Sequence, residues 1–162
     1  PQVFQGYWRN PDATRAAFVE LDGLRWFRTG DLGRVDADGY FTMADRLKRM
    51  INASGFKVWP AEVEALLYRH PGVQEVCIIA TRDDYRGESV KAVIVPKPEA
   101  RETLTEADVI AWSREHMAVY KVPRQVEFVE QLPKSASGKL LWRLLQAEQD
   151  QRDARTESTP PA

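Results

Sequence analysis

Two long apolar runs, residues 73–81 and 89–96, are separated only by the polar turn Asp83-Asp84-Tyr85-Arg86-Gly87, and they constrain this chain more than any other feature. Both are rich in β-branched residues and long enough to cross a sheet. A link that short joins antiparallel neighbours, because a parallel return needs a dozen or more residues. The chain is therefore expected to build around a long central hairpin. What flanks the two runs fits around it. Residues 49–52 and 56–59 border Ala53-Ser54-Gly55 as a shorter hairpin, and Pro60 suits the first turn of a helix. That helix carries Val63, Leu66, Leu67 and His70 at helical spacing and stops at Pro71-Gly72. Thr105-Glu106-Ala107-Asp108 is a capping box opening a second helix to about His116. Residues 126–129 read as a short strand and 140–149 as a third helix. The order hairpin, helix, two strands, helix, strand, helix predicts an α+β domain with a central, mostly antiparallel sheet and flanking helices.

Upstream of Asp45 the texture differs. Gly6-Tyr7-Trp8-Arg9-Asn10-Pro11-Asp12 is loop-like, and residues 12–18 make about two helical turns capped by Asp12. Three short strands follow at 24–28, 31–36 and 40–44, with turn signals at Thr29-Gly30-Asp31 and Asp36-Ala37-Asp38-Gly39. A three-strand meander with no helix to pack on is marginal alone, so this β fragment reads as part of something larger. The tail, residues 150–162, is polar, contains Pro160-Pro161 and reads as disordered.

Charge and composition narrow the function classes. Twenty-three basic residues balance 24 acidic ones, so no global field points to nucleic acid or to an anionic membrane. One cysteine, Cys77, lies inside an apolar run and excludes an intrachain disulfide; it reads as a buried strand thiol. The two histidines, His70 and His116, have no metal-ligand spacing, and no metal site is expected. No run approaches the ~20 apolar residues of a membrane span. These features fit a reduced, cytoplasmic setting. Pro1 in place of Met fits a processed or excised piece.

Three segments rise above a generic globular reading. In Trp26-Phe27-Arg28-Thr29-Gly30-Asp31, Gly30 permits a sharp turn and Asp31 presents a carboxylate, the usual acceptor for two vicinal hydroxyls. The stretch from Asp45 to Glu64 is a basic linker with Arg46 and Lys48, a hairpin tipped by Ser54-Gly55-Phe56, and an amphipathic helix. In Pro133-Lys134-Ser135-Ala136-Ser137-Gly138-Lys139 a Ser/Gly loop delivers a lysine just before a helix, in the manner of a mobile cationic arm. The strict spacing of a phosphate-cradling loop is absent. On residues alone each has a plainer reading: a turn-capping aspartate, a solvated surface hairpin and an exposed loop lysine.

Taken in order and at their spacing, the three resemble the signatures of the adenylate-forming, or AMP-binding, superfamily over residues 4–145, most closely those of fatty-acid–CoA ligases. Gly6-Tyr7-Trp8 with Thr14 matches a further family segment. The resemblance implies that Asp31 holds the ribose of ATP, that Arg46 contacts the nucleotide and that Lys48 is the hinge between large and small domains. It implies that Ser54, Gly55 and Phe56 line the channel for the pantetheine of coenzyme A, and that Lys139 is the catalytic adenylation lysine. Where the family often shows two arginines after that lysine, this chain has Trp142 before Arg143, which leaves the role of the first position open. Residues 1–47 would be a remnant of the large N-terminal domain, 48–149 a mobile C-terminal lid and 150–162 a tail.

The activity implied is that of an acid–thiol ligase. Carboxylic acid, ATP and coenzyme A give acyl-CoA, AMP and pyrophosphate by way of an acyl-adenylate. Its partners would be the protein's own large domain, which binds most of the ATP and Mg2+, and a fatty acid, with peripheral membrane contact compatible with the parent enzyme. The residues at hand lack the family's phosphate loop and acyl pocket, so alone they are expected to be inactive. An aryl or short-chain acid remains an alternative substrate, and a non-catalytic binding module an alternative class.

Overall fold

The computed structural model describes residues 2–157; Pro1 and, from the expected tail, residues 158–162 lie outside the described residues. The chain forms two bodies, one ending at Lys48 and the other beginning at Arg49.

In the first body, α1 (Pro11–Ala17) is capped by Asn10 and not by Asp12: the Asn10 Oδ1 accepts from the Ala13 amide at 3.0 Å, and Pro11 takes the first helical position. Proline has no N–H to leave unsatisfied there, so the helix starts one residue earlier than expected. Thr14 on this helix accepts from the Tyr7 amide at 2.9 Å. A Cβ on Gly6 would lie 2.7 Å from the Thr14 methyl, so the loop passes close because residue 6 is glycine. The expected three-strand meander is absent. Instead β1 (Phe18–Leu21) pairs with β2 (Leu24–Phe27), and β3 (Asp31–Val35) pairs with β4 (Phe41–Arg46), both antiparallel. The reason lies in Asp22-Gly23, two residues with φ of 52° and 72° that fold β2 back onto the end of the presumed helix. Asp-Gly in a two-residue turn is a strong hairpin signal. Phe4, Tyr7, Phe18 and Phe27 stack around this hairpin at centroid distances of 5.0–5.5 Å.

The second body is the expected α+β sheet. β5 (Ile51–Ala53) and β6 (Phe56–Val58) form the short hairpin, and α2 (Pro60–Leu67) follows. β7 (Val73–Asp83) and β8 (Gly87–Pro96) form the long hairpin in nearly continuous register. The far edge of β8 takes β5 at Gly87 and then β9 (Gln125–Phe128), which runs parallel to it. α3 (Glu106–His116) carries the full capping box at Thr105, and α4 spans Trp142–Glu157.

The sheet is covered on both faces, which is why β7 is apolar on both. Val76 and Ile78 face a core with Val63, Leu67, Val90 and Val109; Cys77 and Ile79 face another with Val93, Leu132, Leu140 and Trp142. Burial pushes the Cys77 thiol up to about 12, so it is an inert core thiol.

The tail expectation is corrected over 150–157, because α4 continues to Glu157. Its polar residues are engaged with strand backbone. Gln146 accepts from the Ala80 amide at 2.9 Å and donates to the Ala80 carbonyl at 3.0 Å, and Asp153 accepts from the Arg82 amide at 2.8 Å. From α2, Glu64 accepts from the Ile78 amide at 2.9 Å. Side chains thus take the outward-facing backbone groups of edge strand β7 at Ile78, Ala80 and Arg82, which closes that stretch of the edge to further strand addition.

Candidate active site

The first cluster sits at the start of β3 and the end of β4. Gly30, at φ 74°, turns the chain, and its carbonyl accepts from the Leu47 amide at 2.8 Å. The Asp31 amide donates to Thr29 Oγ1 at 3.1 Å, so the turn is fixed from within. Asp31 and Arg46 are direct cross-strand partners, and Arg46 Nε lies 3.1 Å from Asp31 Oδ1. The two residues expected at the nucleotide therefore meet as one ion pair, carboxylate and guanidinium side by side. Lys48 follows on a short 3-10 turn, exposed, as the last residue of its body.

The second cluster is the β5–β6 hairpin tip. Ser54 and Gly55, at φ 55° and 84°, form a two-residue turn between Ala53 and Phe56, and the Ser54 amide is tied to the Arg86 carbonyl at 3.1 Å. Phe56 stacks on Tyr120 with ring centroids 4.8 Å apart and an 18° interplanar angle. Beside them lies a groove of about 320 Å³ whose walls include Ser54, Phe56, Val90, Tyr120 and the arginines Arg86 and Arg124. An apolar floor with two guanidinium groups suits a thin, largely apolar ligand bearing anionic ends. Gly55 is not part of that wall; a Cβ there would meet nothing within 4 Å.

The third is the loop before α4. Its backbone is closed by hydrogen bonds within the loop. The Ser135 amide donates to the Lys139 carbonyl at 2.8 Å, the Lys139 amide to Ser135 Oγ at 3.1 Å, and the Gly138 amide to the Ser135 carbonyl at 2.8 Å. Gly138 supplies the left-handed turn at φ 78°, and Lys134 is tied to Glu75 at 2.6 Å. The serines close the loop on itself, so Lys139 is presented from a fixed backbone. Its side chain is exposed, and among the described residues its ammonium has no ion-pair partner.

Arg86, Arg124 and Tyr120 come to the hairpin from elsewhere in the chain and carry no local motif that would single them out. Arg49 and Glu64 lie inside the second motif without being among the residues expected at the site. Their ion pair closes at 2.5 Å with side chains only 12% and 13% exposed. Among the described residues no three His, Cys, Asp or Glu side chains converge on a point that could hold a metal ion. The residues present therefore do not assign Mg2+ to this chain. No helix among them is long and apolar enough to cross a membrane.

The chain was compared with known proteins. Residues 62–139 match the AMP-binding enzyme C-terminal domain. A long-chain-fatty-acid–CoA ligase of Bacillus subtilis is 46% identical over 149 residues, 92% of this chain and 26% of the relative. A feruloyl-CoA synthase of an Amycolatopsis species is 47% identical over 141 residues, 87% of this chain and 28% of the relative. The crystal structure of ATP-bound MatB from Rhodopseudomonas palustris superposes with a TM-score of 0.81 at 36% identity, covering 90% of this chain and 28% of that one. The chain thus spans about a quarter of the length of the curated relatives it matches. With a family match that takes in the core of the second body and ends on Lys139, and with identity above two-fifths across nearly its whole length, the chain belongs to the AMP-binding enzymes and carries their C-terminal domain.

Proposed function

We propose that this chain is the lid of an ATP-dependent acyl-CoA synthetase and that Lys139 drives its first half-reaction. The observation that carries the reading is the Lys139 loop: an exposed ammonium, without an ion-pair partner among the described residues, on a backbone closed by three hydrogen bonds. In that step a carboxylate oxygen attacks the α-phosphorus of ATP and pyrophosphate leaves. Two anions must meet, and a preorganised cation between them offsets their repulsion without reorganising at the moment of reaction. Asp31 would accept from the ribose hydroxyls and Arg46 would face the nucleotide. Mg2+ and the phosphate loop belong, on this reading, to the large domain, of which residues 1–47 are a part. The solvent-exposed Tyr40, Phe41 and Met43 on and beside β4 supply an apolar surface for that domain to cover.

In the second half-reaction the thiol of coenzyme A attacks the acyl carbonyl carbon and AMP leaves. The groove beside Ser54 and Phe56, with Arg86 and Arg124 on its wall, supports this hairpin as the side of the channel that takes pantetheine. Rotation about Lys48 would exchange Lys139 for the hairpin, so that one lid serves both steps. ATP and coenzyme A as substrates fit a cytoplasmic enzyme.

The acid is read as a fatty acid, on the relative from Bacillus subtilis; an aromatic acid is the second reading, because the feruloyl-CoA synthase is as similar. The test is Lys139→Ala in the chain joined to its large domain. Adenylate formation, followed as pyrophosphate release, should fall by about two to three orders of magnitude, the scale for one lost charge-stabilising donor. Thioester formation from supplied acyl-adenylate should stay near normal. Equal loss of both steps together with a lower melting temperature would make Lys139 structural. The 162-residue chain alone should release no pyrophosphate.

A further inference from the structure

Arg49 is the first residue of the second body, directly after Lys48. Its guanidinium reaches three elements at once. It bonds both oxygens of Glu64 on α2, at 2.5 and 3.4 Å, and the Ile78 carbonyl on β7 at 3.2 Å, and it lies 5.4 Å from the ring centroid of Trp142 at the start of α4. Glu64 Oε1 also accepts from the Ile78 amide at 2.9 Å, so helix, strand and arginine are locked together. Little of either charged side chain meets water, which leaves the pair weakly screened and makes its bonds of the strong, charge-assisted kind. A lysine offers no such fork.

Trp142 is the other half of the arrangement. It packs on the core face formed by Cys77, Ile79, Val93 and Leu132, three residues after Lys139. The Leu141 amide between them donates to the Pro133 carbonyl at 2.8 Å, which closes the base of the Lys139 loop. A continuous chain of contacts therefore runs from the residue after the hinge, through the guanidinium and the indole, to the loop that presents the lysine.

We propose that Arg49 and Trp142 are positioning residues that couple the Lys48 hinge to the Lys139 loop, so that a change of torsion at the hinge carries the lysine as a rigid unit. This rests on the lid reading above. Arg49 anchors the whole second body and so serves both half-reactions; Trp142 serves the Lys139 loop and so serves adenylation alone.

The experiment is a double-mutant cycle in the full-length enzyme: Arg49→Lys, Trp142→Leu and both, with Trp142→Phe to restore the aromatic face. At saturating ATP and acid, each single variant should slow pyrophosphate release about fivefold, the scale of one shielded cation–π contact. The double variant should be slowed no more than Arg49→Lys alone, not by the product of the two factors, because Trp142→Leu removes a contact that Arg49→Lys has already broken. Trp142→Leu should leave thioester formation from supplied acyl-adenylate unchanged, and Trp142→Phe should recover adenylation. The proposal is overturned if the factors multiply, if neither single variant slows adenylation, or if Trp142→Leu slows both half-reactions in step with a falling melting temperature. Lys139→Ala separates the two levels. If it leaves adenylation intact, the lid reading itself fails. If it abolishes adenylation while the cycle multiplies, only the coupling fails.

Discussion

Asp31 and Arg46 face each other across the β3–β4 ladder, with Arg46 Nε 3.1 Å from Asp31 Oδ1. The pair sets the Asp31 carboxylate against the Arg46 guanidinium on one side of the ladder. Its side chains are 26% and 48% exposed, for Asp31 and Arg46 respectively. At that exposure an ion pair contributes less than about 1 kcal/mol to stability. Arg46→Ala should therefore barely move the melting temperature of the chain, yet raise the KM for ATP about tenfold or more in the full-length enzyme, as loss of a charged hydrogen-bonding partner does. A drop of several degrees with an unchanged KM would assign the pair to folding.

Gly55 separates turn chemistry from channel chemistry. Ser54 and Gly55 both have positive φ, and a Cβ on Gly55 would point into open space. Gly55→Leu confuses the two roles, since a bulky side chain in the left-handed region costs about 1–2 kcal/mol by itself. Asparagine tolerates that region. Gly55→Asn should fold like the parent and retain adenylation, while thioester formation falls by roughly a hundredfold, the scale of a small misplacement at a reacting centre. Equal rates in both half-reactions would remove the tip from the coenzyme A path.

The sheet of the second body is legible because its signals are local and mutually consistent: the turn at Ala53-Ser54-Gly55, proline at the start of α2, the capping box at Thr105 and two long runs with one tight turn between them. The first body departs from expectation at Asp22-Gly23, a two-residue turn that draws residue 18 out of the expected helix and into β1. In the tail, polar composition suggests disorder, whereas Asp153 accepts from the Arg82 amide, 71 residues away on β7. No local pattern announces such partners. The same holds for the candidate site. Asp31, Ser54, Gly55 and Lys139 lie in short motifs with glycine nearby, and the sequence displays them. Arg86, Arg124 and Tyr120 reach the hairpin only through the pairing of β5 with β8 and the turn at 119–121.

Gln146 offers a direct test of the closed edge. It satisfies both the amide and the carbonyl of Ala80. Gln146→Leu keeps the volume but leaves both backbone groups unpaired, at a cost of about 1–3 kcal/mol. Urea unfolding of the 162-residue chain should show that loss. Light scattering should show more self-association as well, because β7 regains a free edge. An unchanged midpoint would mean that water replaces the amide at no cost and that α4 is held by its apolar face alone.

His70 sets the pH response of the fold. It is buried, its Nδ1 accepts from the Gly72 amide at 3.0 Å, and its ring meets Trp112 edge-on at 5.4 Å. Burial holds the imidazole below its ordinary value of 6.5; Asp108 pulls the other way, while Lys97 and His116 add to the depression. The amide bond points the same way, because it needs a bare Nδ1 and only the neutral ring has one. The unfolded chain takes up a proton near 6.5 and the folded chain only at lower pH, so the unfolded state binds more protons in between. Stability from His70 is therefore complete above 6.5 and lost as pH falls from there towards the depressed folded value. The carboxylates whose values are also lowered, Asp83, Asp108 and Glu127, start from 3.8, 3.8 and 4.5 and titrate below this window. The urea midpoint of the 162-residue chain should therefore fall between about pH 7 and about pH 5.5, on either side of the ordinary histidine value. His70→Asn keeps an oxygen acceptor for Gly72 and removes the titration, so its midpoint should lose much less over the same range. If the variant and the parent decline in parallel, the pH response comes from another group and the neutral His70–Gly72 bond is incidental to it.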